Sequence, residues 1–137
     1  MNYHPFKCIS HTADIQLEVQ GRTWPELLNN ALHGMFSITE PVIKHDAPLI
    51  QRTISAEGID RESLLINFLS ECLYHADIYH EAYEKFIATE ISETMLTGTI
   101  IGKPVTRLSL EVKAATYHEL SLSYHHNLWH ALITFDL

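Results

Sequence analysis

Ile15-Gln16-Leu17-Glu18-Val19-Gln20-Gly21-Arg22-Thr23-Trp24-Pro25-Glu26-Leu27-Leu28 changes its hydrophobic period halfway along, and that change decides the fold class. Ile15, Leu17 and Val19 alternate with Gln16, Glu18 and Gln20, the pattern of a strand with one face buried and the other polar. Asp14 shares the polar parity of Glu18. Beyond Gly21, Thr23 and Glu26 stand at the Thr-x-x-Glu spacing of a capping box, and Pro25 is tolerated in a first helical turn. Leu27, Leu28, Ala31, Leu32, Met35 and Phe36 then make one helical stripe. A strand thus hands over to a helix that must cover its apolar face.

Working outward, Phe6 to Ser10 reads as a first strand, joined through the turn-like His11-Thr12-Ala13-Asp14. Pro41 and Pro48 bracket a connector, and Ile50, Ile54 and Ala56 support a further strand ending near Gly58. Asp60 is placed to cap a second helix, in which Leu64, Leu65, Phe68, Leu69, Cys72, Leu73 and Ala76 recur at helical spacing. The remainder is β-like, with strands expected at 85–92, 95–101, 108–113, 120–124 and 129–135, punctuated by Gly102-Lys103-Pro104 and His125-His126-Asn127. The sum is one α+β domain over residues 1–137, a mainly antiparallel sheet covered by two helices.

The composition narrows the function. In 137 residues, nine basic and seventeen acidic side chains give a net charge of -8, which repels a polyphosphate and disfavours autonomous nucleic-acid binding. Cys8 and Cys72 match no zinc spacing and read as reduced core residues. The first twenty residues carry His4, Lys7, His11, Asp14 and Glu18 and no apolar run approaches membrane-spanning length, so a cytoplasmic protein without a membrane partner is expected.

No His-Glu-x-x-His, paired Cys-x-x-Cys, phosphate loop or Gly-x-Ser-x-Gly occurs, and the ten histidines read mostly as surface or half-buried residues. The last strand says more. Trp129, Ala131, Ile133 and Phe135 share one face, which leaves His130, Leu132, Thr134 and Asp136 on the other, one residue before Leu137. A side-chain carboxylate and a terminal carboxylate at that spacing are hard oxygen donors suited to Ca²⁺ or Mg²⁺, with Asp14 as a third donor that a cation would make tolerable. The same pattern also describes a chain end that frays into water, and the residues alone leave both readings open.

His11-Thr12-Ala13-Asp14-Ile15, Val112-Lys113-Ala114-Ala115-Thr116-Tyr117-His118 and the closing Phe135-Asp136-Leu137 closely resemble the three signature segments of the archease family. Glu26-Leu27 with Gly34-Met35-Phe36, and Leu64-Leu65 through Glu71-Cys72-Leu73-Tyr74, follow in the family's order. The resemblance implies the archease fold, with a divalent-cation site formed by Asp14, Asp136 and Leu137. It puts Ca²⁺ first as the ion, with Mg²⁺ or Mn²⁺ as alternatives. It also implies a protein that is not itself an enzyme but activates a GTP-dependent RNA ligase of the RtcB type. That ligase joins 2′,3′-cyclic or 3′-phosphate ends to 5′-hydroxyl ends in tRNA splicing or RNA repair, and RNA is met only through it. The activator promotes ligase guanylylation and multiple turnover. Lys113 would orient a phosphate or offset its charge, and His118 and His11 would face nucleotide or partner. The segment Gly102 to Leu110 is shorter than the polar loop of many archeases, which puts its partner contacts in question.

Two other functions stay open, the first of which uses the same residues. A self-sufficient metal-dependent phosphoesterase would hold its cation on Asp14 and Asp136 with His118 or His11 as base, and would turn over phosphoesters alone. A general chaperone or scaffold would bind many unfolded clients and ignore divalent metal.

Overall fold

A computed structural model describes residues 3–10 and 14–137 of the chain. In chain order the elements are β1 (Phe6–Ser10), β2 (Asp14–Gly21), α1 (Trp24–Ile38), β3 (Pro41–Ile43), β4 (Ile50–Glu57), α2 (Arg61–Tyr79), β5 (Glu81–Ile91), β6 (Met95–Leu108), β7 (Ala114–His125) and β8 (Leu128–Asp136). The strands form two antiparallel sheets. One runs β1-β2-β8-β7, and in the other β6 pairs with β3, β4 and β5. The α+β class with two covering helices holds, but the sheet is divided in two.

The strand-to-helix handover is realised as the alternation demands. Leu17 and Val19 are buried, and α1 covers them with Leu27, Leu28, Ala31, Leu32 and Met35. Thr23 caps α1 by accepting the Glu26 N–H at 3.1 Å, while the Glu26 carboxylate accepts from the Arg22 N–H rather than from the cap residue itself. Close approach of α1 to the sheet requires Gly34. A Cβ there would stand 2.8 Å from the Leu17 side chain and 2.9 Å from Phe6. Asp60 caps α2 as expected, accepting the Ser63 N–H at 2.8 Å, and the Ser63 hydroxyl accepts the Asp60 N–H in return. Leu64, Leu65, Phe68, Leu69 and Cys72 then complete one core with Tyr83, Leu96, Ile100, Ile133 and Phe135.

Three local expectations change. Gly102-Lys103-Pro104 does not end a strand: β6 continues to Leu108, because the missing Pro104 N–H falls between the last β4 pair at Gly102 and the first β3 pair at Val105. Residues 109–113 are then not a strand but a tie. Ser109 and Leu110 both donate to the Thr39 carbonyl at the end of α1, and the next strand starts at Ala114. Cys8 is exposed, since β1 is the outermost strand of its sheet, whereas Cys72 is buried and burial pushes its thiol well up. No helix among the described residues is long and apolar enough to cross a membrane.

Candidate metal and partner site

Antiparallel pairing of β2 with β8 puts the first residue of one opposite the last of the other. Those residues are Asp14 and Asp136. Direct partners on adjacent strands carry their side chains on the same face with Cβ atoms about 5 Å apart, so two carboxylates share one small volume. Asp14 is partly exposed and Asp136 exposed, and neither is matched by a cation among the described residues. Like charges so placed repel, and a divalent ion bridging them removes the repulsion. The donor set is hard oxygen, which fits Ca²⁺ or Mg²⁺ better than a soft metal. No group of three His, Cys, Asp or Glu residues able to hold a metal occurs among the described residues. Water and the oxygens of Leu137, whose side chain packs against the core, could supply further donors.

Lys113 arrives at the same end by way of the backbone. Its N–H donates to the Asp136 carbonyl at 2.8 Å, and Ala114 pairs with Asp136 from the other side of β8. The Lys113 side chain is exposed and forms no ion pair within the described residues. It borders a cleft of about 390 Å³ whose walls include Tyr74 and Asp77 of α2, Glu111 and Ala114. An exposed cation at the mouth of a cleft, on a backbone tied to the strand end that carries Asp136, could meet a phosphate held by another molecule.

His118 follows Thr116 on β7, beyond the regular pairing with β8. Pairing of β7 with β8 is regular from Ala114 to Thr116 and resumes at Ser121, so five residue steps of β7 answer two of β8. His118 sits in the resulting bulge, exposed, with Nε2 3.8 Å from Glu119 Oε1, and it does not join the carboxylates in a metal-binding group. The bulge folds over a face expected to be wet. Gln16 and Thr134 on that face are buried, and Gln16 Nε2 donates both to Glu119 Oε2 at 2.7 Å and to Thr134 Oγ1 at 3.2 Å. Sequence reasoning missed these three residues, because strand parity identifies a face but not what a non-local bulge lays over it. His11 lies outside the described residues.

The hairpin histidines form no metal centre among the described residues. His125 stacks on His130 with centroids 4.0 Å apart and planes 13° apart, and such rings cannot both direct a nitrogen at one ion. Burial, then His130 and His126, hold the His125 pKa below the usual histidine value.

Comparison with known proteins agrees with the fold. The family described as the Archease protein family (MTH1598/TM1083) matches residues 6–137. The protein archease of Methanosarcina barkeri is 30% identical over 140 residues, covering 96% of this chain and 95% of that protein. That of Saccharolobus islandicus strain Y.G.57.14 is 33% identical over 135 residues, covering 95% of each. The solution structure of Methanobacterium thermoautotrophicum protein 1598 superposes with a TM-score of 0.71 at 28% identity, over 97% of this chain and 99% of that one. A crystal structure from Thermotoga maritima, described as an archease and possible chaperone, has a TM-score of 0.69 at 20% identity, over 99% of this chain and 100% of that one, and supports the fold. With a family match from the first strand to the last residue, this chain belongs to the archease family.

Proposed function

We propose that this chain is a cation-binding activator of a GTP-dependent RtcB-type RNA ligase, promoting ligase guanylylation and multiple turnover in tRNA splicing or RNA repair. The observation that carries the reading is the register of β2 on β8, which sets Asp14 against Asp136 while Lys113 is pinned to the Asp136 backbone. Asp14, Asp136 and the Leu137 carboxylate would hold the ion, Ca²⁺ before Mg²⁺ or Mn²⁺. Bound there, the ion neutralises the carboxylates and offers positive charge to an incoming phosphate. Lys113 adds a second, movable charge at the same end, and His118 and His11 would face the nucleotide or the ligase. The chemistry of ligation stays with the ligase, and RNA is met only through it. A cytoplasmic setting suits that role.

The experiment is guanylylation of a cognate ligase with GTP, with and without this protein in less than equimolar amount. Stimulation beyond one ligase per activator is expected. Absence of stimulation under multiple-turnover conditions would overturn the reading. A chaperone, as the Thermotoga protein is described, would instead suppress aggregation of unrelated unfolded clients with or without divalent metal. A self-sufficient phosphoesterase would hydrolyse phosphoesters in the absence of any ligase.

A further inference from the structure

The bulge in β7 is over-built for a mere irregularity. It inserts residues where β8 has no counterpart, without a glycine, and Glu119 takes a left-handed backbone with φ 53°. A residue with a Cβ takes that conformation uncommonly and at a small cost, and here a chain of hydrogen bonds rooted in the sheet accompanies it. Thr116 Oγ1 donates to the Thr134 carbonyl at 2.9 Å and accepts the His118 N–H at 3.3 Å, fixing the entry to the bulge. Gln16 is buried and its Nε2 donates to both Glu119 Oε2 and Thr134 Oγ1, which ties the bulge to the sheet. Leu120 packs back against the core and closes the exit. What the bulge holds out is Tyr117, 57% exposed, and His118, whose side chain is 67% exposed. Gln16 is two residues from Asp14 on the same face of β2, so the anchor sits about 7 Å along the strand from the paired carboxylates.

We propose that residues 117–120 are a built presentation loop in which Glu119, held by Gln16, is the positioning residue for Tyr117 and His118, and that this loop is the part of the cation end that touches the ligase. The second half of this statement rests on the function proposed above. The first half stands on the hydrogen bonds alone. Glu119 acts through the bond it accepts rather than through its charge, and this separates it from a residue that meets the partner directly.

Four variants test this: Glu119→Ala, Glu119→Gln, Gln16→Leu and the exchange Gln16→Glu with Glu119→Gln. In Glu119→Gln the amide oxygen still accepts from Gln16. In the exchange, the amide brought to position 119 donates to the carboxylate brought to position 16, and Thr134 Oγ1 donates to that carboxylate as well. NMR of the protein alone follows the His118 ring signals and the amide protection of residues 117–120. Cognate-ligase guanylylation, Ca²⁺ affinity and melting temperature are read alongside. Glu119→Ala and Gln16→Leu should broaden or shift the His118 signals, remove the protection and lower stimulation by roughly tenfold or more, with Ca²⁺ affinity little changed. Glu119→Gln and the exchange should match the parent in the amide protection of residues 117–120 and in stimulation, while loss of the carboxylate beside His118 shifts its ring signals without broadening them. If Glu119→Ala leaves the His118 signals and protection unchanged, the positioning role is overturned. If Glu119→Gln and the exchange are as defective in stimulation as Glu119→Ala, the carboxylate itself meets the partner and the inference fails. Should the parent stimulate no cognate ligase, it is the functional reading that has failed, and the spectra alone decide whether Glu119 positions the loop.

Discussion

Asp14 and Asp136 face one another across a strand pair with nothing positive between them among the described residues, so without an ion each weakens the ladder end it occupies. Asp136→Asn removes one of the two charges. The variant is therefore expected to melt no lower than the parent in the presence of a chelator, with a gain of at most about 1 kcal/mol, and to lose most of the rise in melting temperature that Ca²⁺ gives the parent. Thermal unfolding with chelator and with millimolar Ca²⁺ checks both halves. Glu81, a buried carboxylate, behaves in the opposite way. Burial alone would raise its pKa, but Arg52, bonded to both oxygens at 3.0 and 2.7 Å, and the Tyr83 hydroxyl hold it below the ordinary glutamate value. With the folded value below the unfolded one, this contribution to stability is complete above the unfolded pKa and is lost as pH falls through the folded one. The melting-temperature gap between parent and Arg52→Ala should therefore be widest near neutrality and narrow below about pH 4. Glu81 was not legible as a buried ion in the sequence, because Arg52 is remote along the chain and its approach depends on β4 and β5 flanking β6.

At the scale of elements, the ends of β2, β7 and β8 make the site, and each end is fixed by a different device. The β8 end is held by the Lys113 N–H and by pairing to Ala114. Because the Lys113 backbone makes that contact, Lys113→Ala keeps it. The variant should lose about 0.5 kcal/mol of stability or less and retain Ca²⁺ affinity, while stimulation of ligase guanylylation falls sharply. Parent-like stimulation by Lys113→Ala would make the residue an ordinary surface lysine. Extending the chain by one Gly moves the terminal charge away from Asp136, and Ca²⁺ affinity should fall in calorimetric titration, whereas Leu137→Ile keeps the carboxylate and should match the parent. What was readable in sequence follows the same division. Local periodicity and caps showed α1, α2 and β2, because Thr23, Asp60 and the alternation from Ile15 act within a turn or a strand. The passage of β6 through Pro104 and the β7 bulge were not readable, since each depends on which strand lies alongside. Asp14 and Asp136 could be named as candidate ligands from their parity and resemblance, but their direct pairing is a matter of register.

For the molecule as a whole, a net charge of -8 disfavours direct binding of a polyphosphate and favours cations and cationic surfaces. Both helices press on one core shared by the two sheets, and Phe135 in that core immediately precedes Asp136. The strand end that carries Asp136 is thus mounted directly on the packed core, which suits the fixed placement that the proposed cation site needs. The central claim is that the register-paired carboxylates form a divalent-cation site. Calorimetric titration of Ca²⁺ into the metal-free parent, Asp14→Asn and Asp136→Asn, each confirmed to be folded, addresses it most directly. One ion per chain is expected for the parent, with affinity weaker by roughly tenfold or more in either variant. Unchanged affinity in both variants, or no saturable binding by the parent to Ca²⁺, Mg²⁺ or Mn²⁺, would contradict the account.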